Sequence, residues 1–361
     1  MTEDEYLAAT CAFTHFGPAR VKLLLSFFGS ARKIWSGSEK ELIEIGLSHA
    51  LVNKFLKHRN FFNPEKYFAN LKSLGIKFVK ISDDDYPQNL KEIPDAPVIL
   101  YVRGSLKSFD SNSIAIVGSR TMTTYGREVT DKFGTELANF GITVISGLAL
   151  GVDAEAQKSA FLAGGRTIAV LASGLDIISP LTNKNLALEI IKKGKGAVVS
   201  EYPLGYMPFK TNFAVRNRLI AGLSKAVIVV EGRKKSGTFY TVNAALSQGK
   251  QVFAVPGPIT SPTSEGTNYL IQNGAKLITG VKDVLDELHM QLKVDRGTIE
   301  KILPGNKTEA KILEILELEP RHLDEVVRIS GLTTSDISAR LTIMEMKGLI
   351  RNLGQGIYQK I

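Results

Sequence analysis

Ile142-Thr143-Val144-Ile145-Ser146-Gly147-Leu148-Ala149-Leu150-Gly151-Val152-Asp153 runs from a short apolar strand, through a turn of small residues, into the start of a helix. The pattern recurs on both sides. Ile114-Ala115-Ile116-Val117 leads into Gly118-Ser119-Arg120, and Ala226-Val227-Ile228-Val229-Val230 leads into Glu231-Gly232-Arg233-Lys234-Lys235-Ser236-Gly237-Thr238. Thr167-Ile168-Ala169-Val170, Ala197-Val198-Val199 and Val252-Phe253-Ala254-Val255 are strands of the same kind, separated by segments of helix length. Short, continuously apolar strands alternating with helices predict an α/β fold, a parallel sheet covered on both faces, from Ser113 to about Leu288. Ligands of such sheets lie at the carboxyl ends of the strands.

The flanks read differently. Residues 1–80 are helical in pattern, with breaks at Gly17-Pro18, Gly29-Ser30, Gly46 and Asn63-Pro64. His15-Phe16-Gly17-Pro18-Ala19-Arg20 and Glu44-Ile45-Gly46-Leu47-Ser48 each lead into a helix, as in a degraded pair of helix-hairpin-helix units or a small SAM-like bundle. Such hairpins bind phosphate through backbone amides. Neither copy has a full glycine hairpin, so a packing role is expected. Residues 81–112 are taken as a connecting segment, 113–290 as the core and 291–307 as a polar linker. Residues 308–361 read as a winged helix-turn-helix: Gly331 and Thr333-Thr334-Ser335 make a turn and cap, and Gly348 to Gly356 make the wing.

A chain of 361 residues, 44% hydrophobic, buries a large core, and its net charge of +9 favours a polyanionic partner. The one cysteine, Cys11, excludes an internal disulfide and argues against structural zinc. The first residues lack the basic-then-apolar pattern of a signal peptide, and no apolar run approaches the roughly 20 residues of a membrane span. A soluble cytoplasmic protein with no membrane partner is expected.

Phe213-Ala214-Val215-Arg216-Asn217-Arg218-Leu219-Ile220-Ala221-Gly222-Leu223 is the most informative stretch for function. Two arginines anchored on a buried element make a fork for phosphates or carboxylates. The alternative is that one of them pairs with a structural acid such as Glu201 or Glu231. The small residues at the three strand ends let backbone amides approach an anion at a helix N-terminus. With Arg120, Arg216 and Arg218 available, an extended anionic ligand is expected. Gly118-Ser119-Arg120-Thr121 is not the three-glycine dinucleotide turn, and no phosphate loop ending in Gly-Lys-Ser or Gly-Lys-Thr exists. His15, His49, His58, His289, His322 and Cys11 all lie outside residues 113–288, against histidine or cysteine catalysis in the sheet. Asp153, at a helix start, reads as an N-cap before a general base. Tyr202, Tyr206, Phe209 and Phe213 are interleaved with Lys210, Arg216 and Arg218, which suits single-stranded nucleic acid. Packing beneath the sheet is the other reading of Phe209 and Phe213.

With these motifs in order, the chain resembles the bacterial DNA-processing protein A (DprA, or Smf) family over essentially its whole length. Tyr86-Pro87, Pro94-Asp95-Ala96-Pro97, Ser224 after the arginine motif, Pro256-Gly257, Gly266-Thr267-Asn268 and Gly274-Ala275 complete the set. The resemblance implies an extended Rossmann-like core that binds single-stranded DNA, loads the RecA recombinase during natural transformation and forms a homodimer. It also implies a DNA-contacting role for Lys184, in Asn183-Lys184-Asn185, whereas Ser179 stands where the family usually has a tyrosine before Pro180. The expected DNA-binding set is Gly118, Ser119, Arg120, Ser146, Gly147, Ala149, Gly151, Lys184, Phe213, Arg216, Asn217, Arg218, Ser236, Gly237 and Thr238. No catalytic residue, metal or cofactor is expected.

Two rival readings compete with this one. Lysine-decarboxylase-like (cytokinin-activating) enzymes share this fold, but their glycine turn precedes a catalytic glutamate, and here Phe239-Tyr240-Thr241 follows. A winged-helix transcription regulator needs surplus positive charge. From residue 307 onward eight basic residues meet eight acidic ones, so an accessory or protein-binding module is expected.

Overall fold

The computed structural model describes residues 1–290, 307–317, 319–346, 349–354 and 356–360. The chain divides into one compact unit spanning Met1–Leu292 and another spanning Lys293–Ile361.

Helices α1 (Glu3–Cys11), α2 (Pro18–Phe28), α3 (Ala31–Ser36), α4 (Glu39–Glu44), α5 (His49–Phe61) and α6 (Pro64–Ser73) come first. Gly17 caps α2 with Pro18 in its first turn, and Ser48 caps α5 by accepting from Leu51 N. Both expected helix starts are therefore present. Phe13, Phe16, Leu24 and Phe55 are buried together in a core that includes Tyr101 and Val198 of the adjoining sheet.

The sheet then forms from β1 (Ile76–Lys80), β2 (Ile99–Gly104), β3 (Ser113–Val117), β4 (Thr143–Ser146), β5 (Thr167–Val170), β6 (Gly196–Ser200), β7 (Ala226–Val229), β8 (Gln251–Ala254) and β9 (Lys276–Leu277). Its spatial order is β1-β2-β6-β5-β4-β3-β7-β8-β9. From β6 across to β9 all neighbours pair in parallel. Strands β3 to β7 are buried residue by residue, as the unbroken apolar runs predict.

One boundary differs from the sequence expectation. The segment taken as a connection contributes β2, which pairs antiparallel with β6, and β1, from the end of the helical zone, pairs antiparallel with β2. The helical zone and the parallel core thus share one sheet edge.

Helices α7 (Gln88–Lys91), α8 (Thr124–Asn139), α9 (Val152–Leu162), α10 (Lys184–Lys192), α11 (Lys210–Leu223), α12 (Thr238–Ser247), α13 (Glu265–Gln272) and α14 (Val281–Glu287) complete this unit. The chain winds outward from β3 to β6, then α11 returns it to β7 on the other side of β3. That reversal is the switch point, where such sheets open a crevice beyond the strand ends.

The second unit packs helices Lys307–Ile315, Leu323–Ser330 and Thr334–Met346 around Ile312, Val326, Ile337, Leu341 and Met344. Strands Ile350–Gly354 and Ile357–Lys360 pair antiparallel as the wing, joined by Arg321–His322. Gly331 closes the middle helix with φ 71°, and Thr333 Oγ1 accepts from Asp336 N at 3.2 Å. The expected linker lies outside the described residues except for Lys307, which opens a helix. Gly348 of the expected wing also lies outside them. No helix among the described residues is long and apolar enough to cross a membrane.

Candidate nucleic-acid interface

The C-terminal half of α11, Leu219–Leu223, is buried against the sheet, which fixes its N-terminal half above the strand ends. Arg216, 3% exposed, donates from Nη1 to Gly147 O at 2.8 Å and to Val170 O, the residues following β4 and ending β5. Its Nε donates to Asn217 Oδ1 at 3.1 Å. Asn217 in turn donates to Gly237 O at 3.4 Å, reaching the loop after β7.

Asp153 lies buried behind this guanidinium and accepts from Gly147 N at 3.1 Å. Desolvation raises its carboxyl above the usual range, against the pull of Arg216 and Gly147 N. Desolvation lowers Arg216 to about 10, with Asp153 opposing it. Arg216 therefore stays cationic at neutral pH. The N-cap reading of Asp153 is corrected: Gly151 is the cap, and Asp153, in the first turn, folds back to the preceding loop.

Phe213 is half-buried, and two guanidinium groups stand within cation–π reach of its ring. Arg120, itself exposed, stands 5.2 Å from the ring centroid and Arg216 stands 5.9 Å from it. The ring packs against charge at the strand ends rather than beneath the sheet.

Gly151 locks the loops after β3 and β4 together. Its φ is 77°, and a Cβ there would meet Ser119 O and lie 2.7 Å from Arg120 O. Val152 N donates to Ser119 O at 3.1 Å. Gly147 is as confined, since a Cβ would stand 2.6 Å from Arg216 Nη2.

Arg218 does not join this group. Its Nη2 pairs with Glu201 Oε2, and its Nε lies 3.1 Å from Asp95 Oδ2. Positions two apart on a helix point in different directions, so the expected fork splits. Glu201, the acid named as the alternative partner, takes Arg218. Glu231 instead accepts from Thr123 N at 2.9 Å and Thr263 Oγ1 at 3.1 Å, tying loops without an arginine.

The other expected residues divide by exposure. Ser146 is buried and donates to Ile116 O at 2.7 Å, and Thr238 is buried in the first turn of α12. Gly118, Ser119, Ala149, Gly151 and Ser236 are half-buried, and Gly237 and Lys184 are exposed. Ser236 Oγ is buried with no hydrogen-bond partner among the described residues. Asn183, next to Lys184, holds the loop after β4: its Nδ2 donates to Leu148 O at 2.8 Å and Ala149 O at 3.3 Å. An asparagine beside a basic residue gives little signal in sequence. Asn212, also missed, is buried with its amide 3.4 Å from Met207 O. Tyr202 and Tyr206 stack at 4.6 Å, and Phe209 stands 57% exposed beyond them.

The arrangement is a cationic, water-facing edge with an aromatic ring close to two arginines, suited to a phosphodiester strand and its bases. Among the described residues no cluster of His, Cys, Asp and Glu has the arrangement of a metal site.

Comparison with known proteins agrees with this chemistry. Residues 77–289 match the family described as DNA recombination-mediator protein A, and residues 301–356 match the DprA winged helix domain. The chain is 34% identical to protein Smf of Synechocystis over 97% of its own length and 96% of the relative's. It is 42% identical to DNA processing protein DprA of Streptococcus pneumoniae, covering 62% of this chain and 80% of that one. The X-ray structure of the pneumococcal protein superposes with a TM-score of 0.67 at 34% identity, over 78% of this chain and 97% of that one. DNA processing protein A from Helicobacter pylori, whose structure concerns its single-stranded DNA binding mode, superposes with a TM-score of 0.53 at 32% identity, over 59% and 96%.

Proposed function

The chain belongs to the DNA recombination-mediator protein A family, and from that premise we propose that its core binds single-stranded DNA through the phosphates and passes the strand to RecA during natural transformation. The observation that carries this reading is Phe213 with both Arg120 and Arg216 within 6 Å of its ring centroid, at 5.2 and 5.9 Å, at the strand ends. Arg120 and Lys184 are the exposed cations that meet phosphate, while Gly118, Ser119, Ala149, Gly151, Ser236 and Gly237 supply backbone and small polar groups. Arg216 and Asn217 hold the loops in place and lend positive potential. Ser146 and Thr238 are buried within the strand-end loops, and Arg218 is tied to Glu201 and Asp95 instead of the ligand.

The protein acts in the cytoplasm as a homodimer formed through the core, as the family resemblance implies, and turns over no nucleotide. The Ser236-Gly237-Thr238 turn supports the last point, being followed by Phe239-Tyr240-Thr241 without an acid. Binding of labelled single- and double-stranded oligonucleotides at several salt concentrations tests the proposal. Preference for the single strand, with log affinity falling linearly in log salt, is expected. Equal affinity for both forms, or turnover of ATP, NAD or a nucleoside monophosphate that Arg120→Ala abolishes, overturns it.

A further inference from the structure

A second basic surface lies apart from the arginine site. A groove of about 1250 Å³ runs between the N-terminal helices and the loops after β5 and β6. Lys54, Lys57 and Phe61 line one wall from α5, and Lys66 and Asn70 line the other from α6. Spacings of three and four place each set on one helix face. Asp176 is the carboxylate among the lining residues, and it is engaged by Gly205 N at 2.9 Å. None of the three lysines is ion-paired among the described residues.

Phe61 is 86% exposed on the same wall. A bare aromatic ring beside unpaired lysines has little value for folding, but it is what a stacking platform along a backbone-tracking groove requires. The groove is linked to the arginine site through the chain, because its other side is made by loops of the sheet. Asp176, Leu204 and Gly205 line it from the loops after β5 and β6. The second of those loops continues through Tyr206 and the exposed Phe209 into α11, which carries Phe213 and Arg216.

We propose that the groove between α5 and α6 is a second segment of the single-strand path, holding nucleotides that run off the arginine site. This rests on the single-strand reading of the core. Charge sign and the exposed ring favour a nucleic-acid strand over an acidic peptide, which the lysines alone would also attract.

The test uses the full chain and labelled oligothymidylates of about 5 and about 20 nucleotides, spanning the site sizes of known single-strand grooves. Lys54→Glu, Lys57→Glu and Lys66→Glu are combined in one variant, and Phe61→Ala is made separately. All four side chains are exposed, so folding should survive. The triple variant should bind the long strand at least tenfold more weakly, with a salt slope smaller by about 2 for three phosphate contacts, and should bind the short strand normally. Phe61→Ala should weaken the long strand about fivefold and leave the short one unchanged. A triple variant that matches the parent on both strands, or that loses equally on both, overturns the second segment. Arg120→Ala separates the two proposals: failure to weaken the short strand removes the core reading itself.

Discussion

Arg216 and Arg218 stand two positions apart on one helix and serve opposite sides of it. Arg216 meets Gly147 O and Val170 O at the strand ends, while Arg218 is held by Glu201 and Asp95 on the other side. The same residue type therefore carries two tasks within one motif, and substitution should separate them.

Arg120→Ala removes an exposed guanidinium and should leave the melting temperature nearly unchanged. Single-strand affinity should fall, with the salt slope reduced by roughly 0.7 for one lost contact. Fluorescence anisotropy across a salt series measures both quantities.

Arg218→Ala should have the converse effect. It leaves Glu201, whose side chain is 10% exposed, without its cation, and breaking such a largely buried pair costs about 3 kcal/mol. Urea unfolding should show that loss, while the protein that remains folded binds DNA within about twofold of the parent, under 0.5 kcal/mol.

Gly147→Ala should act on binding through Arg216, because the new methyl would occupy the space of its Nη2, 2.6 Å away. Buried overpacking of this kind costs about 1–3 kcal/mol, and the displaced guanidinium should weaken the single strand as well. If affinity is unchanged in the folded variant, Arg216 has no part in the site.

Lys250 gives a pH test. Desolvation lowers it from its ordinary 10.5 to about 8, where it donates to Gly222 O at 2.7 Å and Ser224 O at 2.5 Å. Below the folded value both states carry the proton, and the cost of burying the charge is paid in full. Between about 8 and 10.5 the folded state loses its proton first, so the parent should gain stability with rising pH, by at most about 3 kcal/mol. Lys250→Met should lack that gain. The difference between the two unfolding free energies at pH 7, 9 and 10.5 measures it, and a difference independent of pH refutes the assignment.

Removing the winged helix before Lys307 should keep single-strand affinity within about threefold, or about 0.7 kcal/mol, because eight bases and eight acids leave the domain without net charge. A folded, dimeric truncation that loses more than tenfold would make that domain a DNA reader.

The parallel sheet was legible because strands buried on both faces must be apolar throughout, as in Ala226–Val229. Strands Ile76–Lys80 and Ile99–Gly104 are hidden in the sequence for the opposite reason. The first is an edge strand with two exposed or half-exposed lysines, and the second follows a proline-rich approach that reads as loop. At the site, glycine and arginine types could be read from sequence, but directions could not. Whether Arg218 faces a ligand or Glu201 depends on Asp95 arriving from a distant loop. A place at a helix start suggests a cap for Asp153, while its actual partner, Gly147 N, lies on the preceding loop.

Gly151 rests on the backbone of Ser119 and Arg120, and Val152 N is bonded to Ser119 O. The loops after β3 and β4 are therefore one mechanical part made from two stretches of chain. A residue added to either turn should therefore displace the other. A graft that transplants this site to another scaffold will have to move both loops together.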